Sequence, residues 1–241
     1  MPVKEFIKNH PRLALILSKL RLLNWRPSSV NSQVILRNFA QKRRNVFFVQ
    51  IGSNDGMTGD PLHSLIRNHE WRGLLVEPLP EIFADLQANY SGAPGLAFEN
   101  SVISAKSGKT PLYTLQDFNG HNCSQVSSLV FEVISKQKEH MPDFADRFTL
   151  RYVNSMTMNE LLAKHAIENI DLLHIDAEGY DAEILRMLDF DRFQPSAILF
   201  ESEHLSSDTY RKCLTMLKQN GYPILFRDGQ DTLALRSAEF L

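Results

Sequence analysis

Apolar runs too short to be helices return again and again along this chain, with helical stretches between them, and that alternation limits what it can fold into. Val46 to Ile51 (VFFVQI), Gly73 to Glu77 (GLLVE), Leu96 to Val102, Leu172 to Asp176 and Ala197 to Glu201 are nearly continuous in hydrophobicity, the pattern of strands covered on both faces. Between them the spacing predicts helices from Asp60-Pro61 to about Asn68, from Glu81 to Tyr90, Thr157 to His165, Ala182 to Leu188 and Ser207 to Asn220. Asp60 can cap the first of these, with Pro61 at its first position. Alternating strands and helices imply right-handed crossovers and a parallel sheet. Tyr222 to Arg227 and Thr232 to Arg236, around Asp228-Gly229-Gln230-Asp231, predict an antiparallel hairpin at its edge. The expectation is an α/β chain with a mostly parallel seven-stranded sheet, helices on both faces and a C-terminal hairpin.

With 241 residues, 43% of them hydrophobic, the chain suits one domain with a full core. A net charge of -2 calls for no nucleic acid partner. The charge is uneven, however. Met1 to Asn45 holds ten Lys or Arg against Glu5 alone, so this segment is +9 and the remainder -11. The chain therefore divides into a basic, largely helical arm over 1–45 and a domain over 46–241. The arm packs as a solvated helix on the domain's edge, or its cations beside Leu13, Leu15, Ile16, Leu17, Leu20, Leu22 and Leu23 touch a membrane surface peripherally. Cys123 and Cys213 match no metal or redox spacing and read as reduced thiols. No cleavable signal is evident, and the run near Leu13 to Leu17 is too short to span a bilayer. A cytoplasmic protein is expected, at the inner face of the membrane if the arm binds there.

Between Gln116 and Tyr152 the alternation is lost, and polar residues mix with a charged helical piece around Glu132 to Glu139. This insertion reads either as a lid over the acceptor side or as a mobile surface loop.

Gly52-x-Asn54-x-Gly56 directly follows the first strand. Glycine there lets a ligand approach the backbone closely. Asn54 and Met57 stand where a dinucleotide fingerprint has glycines, which disfavours a pyrophosphate cradle. Glu77 ends the second strand, where an acid accepts hydrogen bonds from ribose hydroxyls or else caps the Pro78-Pro80 turn. Asp55 either faces a cationic cofactor or caps its own loop. At the next strand ends, His174 and Asp176 share a face, and Glu201, Ser202, Glu203 and His204 reach the same edge. A hydroxyl acceptor must lose its proton: His204 is the candidate base, with Asp176 orienting it or the acceptor. Alternatively Asp176 with Glu201 or Glu203 holds Mg²⁺. Glu178, Asp181 and Glu183 read as first-turn acids on a helix, and His174 as a hydrogen-bonded residue within the sheet.

In order and spacing, VFFVQIGSNDG, LLVEP, FEN, IDLLHIDAEGYDAEIL and AILFE resemble the FkbM family of S-adenosylmethionine-dependent methyltransferases. The likeness runs from Val46 to Glu203. It implies a Rossmann-like methyltransferase fold with S-adenosylmethionine as cofactor. By this resemblance Gly52, Asn54 and Gly56 wrap the methionine part, Glu77 the ribose, and Asn100 with Ser101 the adenine side. The implied acceptor is a hydroxyl, often on a sugar, as in polysaccharide biosynthesis. Met156-Thr157-Met158-Asn159 and His174 depart from the family's usual Thr-Leu-Asp and Lys. Two alternatives stand beside it: a nucleotide-dependent oxidoreductase, and a non-catalytic module that binds a cofactor or glycan.

Overall fold

A computed structural model describes residues 31–116 and 122–240, with side chains left aside at 122–126. The apolar residues Leu13 to Leu23 of the basic arm therefore lie outside the described residues, as does the membrane contact expected of them. The arm's last part is the helix α1 (Ser32–Lys42), which buries Ile35, Leu36 and Phe39.

The main sheet contains β1 (Phe47–Ile51), β2 (Arg72–Val76), β3 (Leu96–Glu99), β8 (Leu172–Ile175), β9 (Ala197–Glu201), β10 (Ile224–Asp228) and β11 (Asp231–Leu235). Its order is β10-β11-β9-β8-β1-β2-β3. Only β11 runs against its neighbours, pairing antiparallel with β9 and β10. The expected seven-stranded, mostly parallel sheet with a C-terminal hairpin is present.

Successive strand residues point to opposite faces, and this divides the core in two. Val49, Ile51, Leu173, Ile175, Ile198 and Phe200 pack under α6 (Met158–Lys164), α7 (Asp181–Met187) and α8 (Ser207–Gln219). Phe48, Leu75, Leu172, Leu199 and Leu233 pack against α1, α2 (His63–His69) and α3 (Pro80–Asn89).

Three expectations need correction. Asp60 does not cap α2, whose cap position is Leu62 without a side-chain bond. Asp60 instead turns inward, accepting from Leu62 N at 2.8 Å and Gln50 Nε2 at 3.1 Å. The run from Leu96 to Val102 is not one strand: β3 ends at Glu99, and β4 (Val102–Ile103) pairs with β7 (Phe148–Met156) in a second sheet. Asn100 makes the break, donating from Nδ2 to the carbonyls of Glu77 and Pro78 at 2.9 and 3.1 Å. The described residues between Gln116 and Tyr152 are not irregular either. They belong to a four-stranded sheet of order β4-β7-β5-β6, built with β5 (Gly108–Gln116), β6 (Asn122–Ser128) and β7 (Phe148–Met156). Two short helices, α4 (Phe131–Lys136) and α5 (Phe144–Arg147), connect β6 to β7. The second sheet has its own small core of Leu79, Ile82, Val102, Leu112 and Val153. No helix among the described residues is long and apolar enough to cross a membrane.

Candidate active site

The carboxyl ends of the parallel strands open into a cavity of about 800 Å³, within the range of small-molecule sites. The chain after β1 lines it first. Gly52 holds φ at +80°, and a β-carbon there would lie 1.7 Å from the Asp176 carbonyl oxygen. This glycine thus serves the contact between the ends of β1 and β8, and a side chain would collide with protein before it met any ligand. Asn54, also at positive φ, donates its backbone N–H to Glu77 Oε2 at 3.1 Å. Glu77 Oε1 accepts from Leu79 N at 3.0 Å. Glu77 therefore caps its own turn and ties the two loops together while facing the cavity. Burial pushes its carboxyl up to about 7, against those two N–H donors.

Three residues expected to hold the cofactor stand behind the wall, outside the cavity lining. Asp55 caps its loop, accepting from the N–H of Met57 and Thr58 at 2.9 and 2.7 Å and from Thr58 Oγ1 at 2.6 Å. Gly56 backs onto α3, where a β-carbon would meet Tyr90 and Leu86. Asn100 pins the end of β2, as described, while Ser101 beside it does line the cavity.

At β8 and β9 the lining is acidic. Asp176 is exposed to the open cavity, and its carboxyl is raised to about 7 by the enclosing protein and by Glu178, Asp231 and Asp60. His204 is not partnered by Asp176. Its Nε2 lies 3.2 Å from Glu178 and 3.6 Å from Glu201. Glu178, expected to be a helix-dipole acid, instead sits at φ +48° in the turn before α7 and lines the cavity. Asp181 fixes that turn by accepting from the N–H of Ala177 and Gly179. Burial and the neighbouring carboxylates raise Glu201 to about 10. Glu203 is exposed and accepts from Gln230 Nε2.

His174 is buried but is not satisfied within the sheet: its Nδ1 has no partner, and burial alone pushes the imidazole down to about 4. Unpartnered with it, among residues that also line the cavity, are Gln50 Oε1, Asn54 Oδ1, Asp60 Oδ2, Ser101 Oγ and Glu201 Oε2. Buried polar atoms are normally paired, and six unpaired ones on residues that line a single cavity make its wall strongly polar. The residues at β1 and β2 fit a ribose-bearing, cationic cofactor, since they offer acceptors and a carboxylate without a phosphate cradle.

Sequence reading missed Gln50, Asp60 and Glu178. Gln50 carried a signal, as the single polar residue in VFFVQI. Glu178 carried none, because only the tight turn at Gly179 aims it inward.

No curated protein sequence matches the chain. Among solved structures, Methyltransferase FkbM from Methylobacillus flagellatus KT is similar with a TM-score of 0.50 and 13% identity, over 80% of this chain and 44% of that one. An RNA methyltransferase from Salinibacter ruber in complex with S-adenosyl-L-homocysteine gives 0.40 and 12%, over 85% and 90%. Precorrin-6y C5,15-methyltransferase from Geobacter metallireducens GS-15 gives 0.42 and 12%, over 85% and 87%. At 13% identity the likeness to the FkbM structure concerns the fold, which is the Rossmann-like methyltransferase fold. The sequence model of the methyltransferase FkbM domain matches residues 50–224, a span that holds every cavity residue discussed above except Gln230 and Asp231. The chain belongs to the FkbM family of S-adenosylmethionine-dependent methyltransferases.

Proposed function

We propose that the chain methylates a hydroxyl of a sugar, in a glycan, a glycolipid or a glycosylated metabolite. The observation that carries this reading is the cavity lining: orphaned polar atoms and eight carboxylates (Asp60, Glu77, Asp176, Glu178, Glu201, Glu203, Asp228, Asp231), with no Lys or Arg among the described residues. Such a surface suits a hydroxyl-rich acceptor and repels polyanions, nucleic acid included. When bound, S-adenosylmethionine supplies the activated methyl group. Glu77 receives the ribose hydroxyls, with Asn54 and Ser101 lining the cavity alongside. Asp55, Gly56 and Asn100 support that site from behind. His204 is the general base: a proton gained on its Nε2 is stabilised by Glu178, 3.2 Å away, and such catalysis contributes about 10²–10⁴-fold. Asp176 orients the acceptor at the cavity mouth, and much of the remaining rate comes from positioning. The oxidoreductase alternative falls with the family assignment.

Calorimetry and turnover test this. Wild-type protein is expected to bind S-adenosylmethionine, and Glu77→Gln to weaken binding roughly 10- to 100-fold through loss of charge-assisted hydrogen bonds. His204→Ala is expected to lower kcat about 10²–10⁴-fold while leaving cofactor affinity unchanged. A folded wild type that binds no S-adenosylmethionine, or that methylates RNA and no sugar, overturns the reading. One observation favours a second reading: Glu178, Glu201 and His204 bring ligand atoms within 4.8 Å of one another, so a divalent cation could sit at this end of the cavity instead of at Asp176 with Glu201 or Glu203. Activity that survives EDTA rejects it, whereas loss restored by Mg²⁺ or Mn²⁺ supports it.

A further inference from the structure

The acids of the cavity are not spread evenly. Glu77 ends β2, and in the sheet order β2-β1-β8-β9 Glu201 ends a strand three spacings away, or roughly 14 Å. Around β1 the unpartnered acceptors Gln50 Oε1, Asn54 Oδ1 and Asp60 Oδ2 suffice for the cofactor's own amino group. That leaves Glu178 and Glu201, with Glu203 and Asp231 beside them, in excess of what the cofactor needs. No Lys or Arg among the described lining residues balances them.

Glu201 is the informative residue. It is 8% exposed, its Oε2 is buried without a partner, and burial with the neighbouring carboxylates keeps it protonated, a state that a cation arriving beside it reverses. A sugar hydroxyl supplies one O–H and no charge. An ammonium supplies three N–H donors and a positive charge. The acceptor atoms of Glu178, Glu201 and His204 lie within 4.8 Å of one another. Glu178 lies 3.2 Å and Glu201 3.6 Å from His204 Nε2, so both carboxyl groups converge beside the imidazole.

Resting on the methyltransferase reading above, we infer that the acceptor carries a protonated amine beside its methylated hydroxyl, held between Glu178 and Glu201, so that the substrate class is an amino sugar or aminocyclitol. His204 stands between the two carboxylates, and anchoring the amine there brings the neighbouring hydroxyl to the imidazole. The same carboxylates exclude uronic acids and phosphorylated sugars.

The test uses full-length protein saturated with S-adenosylhomocysteine, in EDTA, titrated calorimetrically with methyl glycosides of glucosamine, galactosamine and mannosamine. Each is compared with its N-acetyl counterpart, its parent hexose and the matching uronic acid. At least one amine is expected to bind about tenfold or more tightly than its N-acetyl form, the gain of charge-assisted hydrogen bonds. The double variant Glu178→Gln, Glu201→Gln is expected to abolish that preference while keeping S-adenosylhomocysteine affinity. If S-adenosylhomocysteine binds but no amine exceeds its N-acetyl form, or uronic acids bind as well, or the preference survives the double variant, the inference is overturned. Failure to bind S-adenosylhomocysteine at all would instead remove the methyltransferase reading, and the inference with it.

Discussion

Gly52 and Glu77 show how one position can serve fold and ligand together. Because a β-carbon at Gly52 would penetrate the Asp176 backbone, and because φ there is +80°, Gly52→Ala is expected to cost more than about 2 kcal/mol of stability. Urea unfolding measures this, and a variant that weakens ligand binding at unchanged stability contradicts it. Glu77 predicts a pH dependence. Its folded pKa, about 7, lies above its ordinary 4.5, so the native state holds the proton more tightly than the unfolded chain does. Its stabilising contribution is complete below about 4.5 and is lost as the pH rises through about 7, on the order of 3 kcal/mol. Asp60 and Asp231, both raised to about 6, act in the same direction. Ligand-free protein should therefore melt at lower temperature as the pH climbs through this window, with a shallower slope in Glu77→Gln. Equal slopes in the two proteins would refute the assignment. Gly52 and Glu77 were legible as cavity positions because strand ends announce themselves, whereas Ser101 was reached through the family resemblance alone. That Asp55, Gly56 and Asn100 face away was not legible, since loop course depends on hydrogen bonds that no periodicity encodes.

The parallel strands were legible for a physical reason: covered on both faces, they read as unbroken apolar runs. β5 and β7 escaped because they form a sheet with one covered face. Leu112 and Val153 point inward, while the apolar Leu150 and Tyr152 on β7 are exposed, so hydropathy does not follow burial there and no single apolar face marks the strand. The departure at Met156-Thr157-Met158-Asn159 also has a local meaning: Thr157 and Glu160 form a capping box that starts α6, which satisfies its first N–H groups. Since the second sheet rests on a five-residue core, whereas the main sheet is packed on both sides, the two should open at different free energies. Native-state hydrogen exchange is expected to show weaker protection in β5 and β7 than in β1, β8 and β9. Equal protection would mean that the sheets unfold as one unit.

Across the molecule, the cavity gathers residues from the ends of β1, β2, β8 and β9 and from the hairpin turn. Ser32 at the start of α1 is tied to that turn, donating to Asp228 Oδ2 from N and Oγ at 2.8 and 3.0 Å. A ligand that binds only this assembled state must stabilise it, by about 2.7 kcal/mol at a concentration 100 times its Kd. S-adenosylhomocysteine should accordingly raise the melting temperature of the full chain, and a flat titration would argue that the cavity is not its site. Within the main sheet, one ladder joins β1-β2-β3 to the other four strands: Phe48 to Ile51 against Leu172 to Ile175. Gly52 and Glu77 lie on one side of that seam, Asp176, Glu201 and His204 on the other. Supplied as two polypeptides divided between β7 and β8, the chain would capture nucleoside only where its fragments had found each other, which makes this seam a natural place to build a split reporter.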